Sequence, residues 1–333
     1  MSDENASPPT IRTDIHRAIS DRLMEGARGM MAEDDALAGR IHRGRIACKD
    51  ARALLRLLRK VDPGLARRER LRLRRVARSL AMNRDTQARR DALERLEPEN
   101  ARDRRTVAAL RRRLVLEGAR GRSARVELTE TMKKSAGDLA AAEARIGRRS
   151  LVSVTPDILA ARLRKSYRKA RKLGRRLKLD HSESAWHDWR KAVKTLGYQA
   201  RAISPEAGNF LGQIDRLGRK LGHEHDLALL ADFVEARRGD RVHAHRIADA
   251  GPLLDSCRRR LRRKSRRLGY PVLSLKPKAF LHRVFSAGRV STRRQEGQSN
   301  ALNRQPGKQD GLGTATAHSP RSSRRDLRRA ASI

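Results

Sequence analysis

Aromatic side chains are scarce in this 333-residue chain: four Phe, two Trp and three Tyr. Sheets favour aromatic and β-branched residues, whereas helices accept Leu and Ala, so the apolar remainder points to helix-on-helix packing. No stretch alternates apolar and polar residues over the length of a convincing strand. Cysteine is nearly absent. Cys48 and Cys257 are the only two, which argues against a disulfide scaffold, a zinc cluster and secretion. Cys48 reads as a packing residue. No run reaches the roughly 18 apolar residues that a membrane span needs, and the opening "MSDENASPPT" has no apolar signal-peptide core. A cytoplasmic protein with no membrane partner is the expectation. Acids are short too, with 38 Asp and Glu against 79 Lys and Arg.

That surplus gives a formal charge of +41. Self-repulsion of this size opposes compaction and calls for a polyanion, such as nucleic acid, an anionic membrane surface or inorganic polyphosphate. Arg greatly outnumbers Lys, and a guanidinium fork matches two phosphate oxygens at once.

Residues 1–10 read as a disordered polar arm. Helical periodicity dominates from about Ile11 to Arg149, with breaks at "EDDALAGR" (33–40), "VDPG" (61–64) and "EPEN" (97–100). A second helical block spans about 157–285. Thr155 is placed to cap it and Pro156 to open it. Breaks follow at "LDHSESA" (179–185) and "ISPEAGN" (203–209). From 286 to 333 Gly, Ser, Gln, Asn and Arg take over, and no aromatic residue follows Phe285. Such a tail cannot bury enough apolar surface to offset its ordering entropy, and reads as disordered and basic.

What the chain does have is a ladder. "IHRGRIACKDARALLRLLRK" (41–60) reads as one helix that places Arg45, Lys49, Arg52 and Arg56 three, seven, ten and fourteen residues after His42. At about 100° per residue, all five fall within an arc of about 80°, along roughly 20 Å of one helix face. Like charges at such spacings destabilise a helix, so something outside it must offset the repulsion. The ladder recurs 145 residues later. In "WHDWRKAVKTLGYQARAI", His187, Arg190, Lys194 and Arg201 match His42, Arg45, Lys49 and Arg56, while Gly197 stands in place of Arg52. A second match follows in the same order. "RVARSLAMNRD" (75–85) aligns with "RLGRKLGHEHD" (216–226), pairing Arg75, Arg78 and Asp85 with Arg216, Arg219 and Asp226. The duplication implies two similar helical halves, about 11–150 and 157–285.

These ladders, the "RD"-like elements Arg84–Asp85 and His225–Asp226, and the closing segment "LGYPVLSLKPKAF" (268–280) resemble the CHAD domain, the conserved-histidine α-helical domain. The resemblance covers about 11–285. It implies an all-α fold of two pseudo-symmetric four-helix bundles enclosing a basic surface. It also implies binding of inorganic polyphosphate and no catalytic activity for the domain alone. Gly197 leaves the second ladder one cation short, and His225 stands where the family often has another polar residue.

Polyphosphate carries about one charge per phosphate and no bases, so a binder needs regularly spaced cations on rigid supports. The two ladders would either face each other across a groove or continue one stripe. A further stripe, Arg164, Arg168, Arg171 and Arg175, occupies one face of its helix. His42 and His187 read either as phosphate contacts or as partly buried histidines. On the first reading, affinity rises as pH falls below about 7. Asp85 and Asp226 read either as partners that steady arginines or as helix N-caps. Trp186 and Trp189 read as core or interface anchors. "HEHD" (223–226) sits on a helix whose successive side chains diverge, so no metal is assigned, and no cofactor is called for. With neither a Walker A loop nor an E-x-E-x-K element, the expectation is a non-enzymatic polyphosphate binder on polyphosphate granules. The alternative is a nonspecific nucleic-acid-binding or nucleoid protein, with the tail's "SPRSSRRDLRR" as a basic arm.

Overall fold

The computed structural model describes residues 14–33, 36–81, 84–118, 122–149, 154–205, 207–237 and 249–286. The expected arm (1–10) and nearly all of the expected tail (287–333) lie outside them. The fold is all-α, and no strand occurs among the described residues. In order come α1 (Ile15–Met31), α2 (Leu37–Leu54), a 3-10 turn (Leu58–Lys60), α3 (Pro63–Ser79), α4 (Arg84–Glu94) and α5 (Ala101–Gly118). Then follow α6 (Arg122–Gly147), α7 (Pro156–Arg176), α8 (Glu183–Ile203), α9 (Gly208–Glu235) and α10 (Ala250–Leu273). A closing helix occupies 277–286.

The helix starts follow local chemistry. Thr155 accepts from the Ile158 amide at 3.4 Å, with Pro156 in the first turn. Asp62 accepts from the Leu65 amide at 2.9 Å, again with a proline next. Ser182 caps α8 through the Ala185 amide at 3.3 Å. Each side chain satisfies an amide that the helix itself leaves without a partner.

One expected helix is shorter than its sequence suggested. Instead of running through Lys60, α2 ends at Leu54 and the chain tightens into the 3-10 turn. Leu54, Leu55, Leu57 and Leu58 are all buried. Four leucines in five positions span too wide an arc for one straight helix to bury, and the tighter turn lets all of them reach the core. Arg56 therefore sits on the turn, beyond the regular helix that carries the other rungs.

The main core joins α1, α2, α3, α6, α7, α8, the first half of α9 and the closing helix. Each fully buried Leu or Ile contributes roughly 1.5–3 kcal/mol. Tyr167 and Phe280 stack at 4.0 Å between ring centroids. The Tyr167 hydroxyl lies 2.9 Å from the Val272 carbonyl and 2.8 Å from that of Leu275, locking the closing segment onto α7. A smaller core joins α4 and α5 to the second half of α9 and the start of α10 through Leu93, Leu110, Leu230, Phe233 and Leu254. Both cores draw on both halves of the sequence, so the hydrophobic interior does not divide where the repeat divides.

Candidate polyanion-binding surface

Helix α2 presents the first ladder towards α3. The Arg45 guanidinium donates to the Ala77 carbonyl at 2.9 Å. Arg52 is half-buried, and its pKa is lowered first by burial and then by Arg70, Arg74 and Arg78. Burial, followed by Arg70 and Arg52, lowers that of Arg56. These arginines stay charged at neutral pH, yet they crowd one another. The nearby acid Glu69 is taken. It is 1% exposed, and Arg145 grips it through Nε and Nη2 at 2.9 and 3.1 Å, with Arg72 on its other side. The like-charged α2–α3 face is thus left without the acid that lies closest in sequence.

Where Arg56 leaves α2, a cleft of about 440 Å³ opens between that turn, α3, α7 and α8. Seven cations line it: Arg56, Arg59, Arg70, Arg162, Lys165, Lys169 and Lys191. Asp188 is its single acid. It lies 2.6 Å from Lys191, whose hydrogen bond holds the carboxyl below its usual range. The wall is pinned by Arg56 Nη1 donating to Thr195 Oγ1 at 2.8 Å, and by the Gln199 amide donating to the Ala53 carbonyl at 2.8 Å. Both bonds join α2 and its turn to α8, so the two ladder helices touch.

The second ladder meets different neighbours. Its residues occupy an arc of α8 about 100° away from Asp188, Lys191, Thr195 and Gln199, and this arc faces α9. Arg190 is buried. Arg201 pairs with Asp215. Lys194, Arg201 and Arg219 share a pocket of about 150 Å³ with Tyr198 and Asp215. Behind it lies Asp50, 8% exposed, whose carboxyl is pushed up to about 6 by burial against the pull of Arg22 and Arg201. The His187 ring stands 4.9 Å from that of His225, and burial, then Lys191 and Arg190, lowers its pKa. Gly197, the missing rung, is buried, and a Cβ there would meet Ile214 Cγ2 of α9 at 3.3 Å. Helix contact, not cation presentation, occupies that position.

Of the residues expected from the sequence, Arg56 alone lines the large cleft. His42, Arg75, Arg78, Arg168, Arg175, Arg216 and Arg219 are exposed; Lys49 and Arg164 are half-buried. Arg171 donates to the Ser274 carbonyl at 3.1 Å, so the expected α7 stripe turns towards the end of α10. The cleft uses the other basic flank of α7, namely Arg162, Lys165 and Lys169. Their spacing of three and seven repeats that of His42, Arg45 and Lys49, and it was the available signal. Asp226 is buried and lies 3.6 Å from Arg95, just past the end of α4. The Asp85 side chain lies outside the described residues. "HEHD" does diverge: Glu224 binds Arg258 and Arg262 of α10, His225 faces His187, and Asp226 faces Arg95. Trp186 and Trp189 are core residues in edge contact at 5.7 Å. Burial raises both thiols, that of Cys48 to about 12.

Comparison with known proteins agrees with this architecture. The fold of PptA from Streptomyces chartreusis is similar, with a TM-score of 0.55 over 79% of this chain and 98% of that one, at 19% identity. None of the curated proteins is similar enough to match. The CHAD domain family model matches residues 21–235, from within α1 to the last residue of α9, and so takes in both ladders. The chain therefore belongs to the CHAD domain family.

Proposed function

We propose that this protein binds inorganic polyphosphate without turning it over, with the cleft between α2, α3, α7 and α8 as its principal site. The carrying observation is the lining: seven cations and one acid, which is already paired. A flexible chain of phosphates suits such a wall, because each cation displaces a counterion and no base edge has to be read. From the cleft, Arg52 with Arg70, Arg74 and Arg78 continues the positive surface between α2 and α3, giving a longer polymer a path. The small pocket at Lys194, Arg201 and Arg219 is the weaker end, since Asp215 faces it. Holding polyphosphate in this way would place the protein on polyphosphate granules. The test is a titration of long-chain polyphosphate at several salt concentrations, with wild type and an Arg70→Ala, Lys165→Ala, Lys169→Ala variant. Loss of three phosphate contacts should weaken binding about 100-fold near 0.15 M salt and flatten the log–log salt slope by about 2. An unchanged slope, or a wild type that binds no polyphosphate, would overturn the reading. Release of orthophosphate during the titration would overturn the non-enzymatic part.

A further inference from the structure

Helix α10 lies beyond the stretch matched to the family and carries two parallel arginine stripes, one residue out of register. The inner stripe is Arg258, Arg262 and Arg266. Its members are engaged. Arg258 and Arg262 bind Glu183 and Glu224, and Glu224 is 4% exposed. Arg262 and Arg266 lie over the Trp186 ring at 5.0 and 5.5 Å, and Arg266 donates to the Leu177 carbonyl at 2.6 Å. Structure alone accounts for this stripe.

The outer stripe is Arg259, Arg263 and Arg267, continued by Tyr270 eleven residues after Arg259. At about 100° per residue these four share an arc of about 80°, with a cation about every 6 Å. All four are exposed. No acid lies within ion-pair distance of the three arginines among the described residues, and Asp255 is the only acid in the helix. Arginines at i, i+4 and i+8 repel one another, and among the described residues no acid pairs with them to offset this. Tyr270 is 74% exposed, and it is the only exposed ring among the four Phe, two Trp and three Tyr, all of which are described.

We infer that this face is a docking strip for single-stranded nucleic acid, separate from the polyphosphate cleft. The arginines supply phosphate contacts. The exposed ring supplies a flat surface on which a base can stack, a contact a pure phosphate polymer cannot make. That ring decides between the two polyanions.

Fluorescence anisotropy of the full chain with a labelled 20-nucleotide single strand tests the strip, with long-chain polyphosphate titrated in parallel. Arg259→Ala, Arg263→Ala, Arg267→Ala should lower oligonucleotide affinity at least tenfold and reduce the salt slope by about 2, while polyphosphate affinity stays within about twofold. Tyr270→Ser should weaken the oligonucleotide about tenfold and leave polyphosphate unchanged. Replacing the same three arginines by Lys should restore most of the loss, because the phosphate contacts survive. Far-ultraviolet circular dichroism of each variant checks that these exposed substitutions leave the fold intact. Three outcomes would overturn the inference: an arginine variant that binds the strand like wild type, a Tyr270→Ser variant without effect, or an equal loss of polyphosphate binding. A wild type that bound the strand and ignored polyphosphate would sink the cleft proposal and leave this one standing.

Discussion

The two ladders share their spacing but not their surroundings. Along α2, Arg52 and Arg56 face further arginines: burial lowers both pKa values, Arg70 lowers both further, and Arg52 also lowers that of Arg56. Along α8, Arg201 faces Asp215, Asp50 is close by, and Gly197 gives its place to α9. A cation that already has a carboxylate partner gains little from a phosphate, because it must exchange one anion for another. Cations that have only one another gain the relief of their repulsion as well. Equal spacing therefore marks equal helix faces, and the facing helix decides what those faces can bind.

The largest expected effect sharpens that contrast directly. Arg52→Ala with Arg56→Ala should weaken polyphosphate binding about 30-fold at physiological salt, whereas Lys194→Ala with Arg201→Ala should cost no more than about threefold. Isothermal titration of both double variants checks this, and equal losses would erase the distinction between the ladders.

Next comes the acid side. Asp50 titrates near 6 when folded, against an ordinary value of 3.8. The folded state thus holds the proton more tightly, and the stability this contributes is present below about pH 4 and lost as pH rises through 6. Asp50→Asn should add about 2 kcal/mol to unfolding stability at pH 7, and the gain should vanish by pH 4. Urea melts at the two pH values would show it. A gain that persists at pH 4 would mean that packing, not titration, is responsible.

A smaller change should make the second ladder resemble the first. Asp215→Asn leaves Arg201 without its carboxylate partner, and polyphosphate affinity should rise about threefold. Weaker binding by this variant would show that Asp215 positions Arg201 for the ligand.

Smallest is the histidine effect. His187 starts below its ordinary pKa of 6.5, mainly through burial. A bound polyanion raises it, so binding takes up a proton, and affinity should rise about twofold as pH falls from 7 towards 5.5. The His42→Ala, His187→Ala variant should flatten that rise. Folding responds in the opposite direction. His16, His187 and His223 all have lowered pKa values, so stability is lost as pH falls below 6.5, and a melting curve must accompany each binding point.

Much of the scaffold was legible in the sequence. Thr155–Pro156, Ser182 and Asp62–Pro63 mark helix starts through contacts made within three residues. The ladder on α2 was placed correctly on one face through Arg52, and missed only the tightening at Arg56, where four leucines had to reach the core together. On α7 the cleft is lined by the flank opposite the expected stripe, for a different reason. Leu159, Leu163, Tyr167 and Ala170 form its buried arc, with Arg162, Lys165 and Lys169 on one flank and Arg164, Arg168, Arg171 and Arg175 on the other. Both flanks have helical spacing, and nothing along the chain ranks one above the other.

The sequence by itself determined which cations share a helix face, because an α-helix turns by a fixed angle per residue and that periodicity is local. Only the tertiary structure decided which acids those faces meet. Glu69 is claimed by Arg145, Asp215 by Arg201 and Glu224 by Arg258 and Arg262. These pairings join separate helices, whose rotation is set by burying leucines and tryptophans. Where the packing leaves cations in excess, in the cleft with its one paired acid and on the outer face of α10, the charge of the chain remains open to a partner.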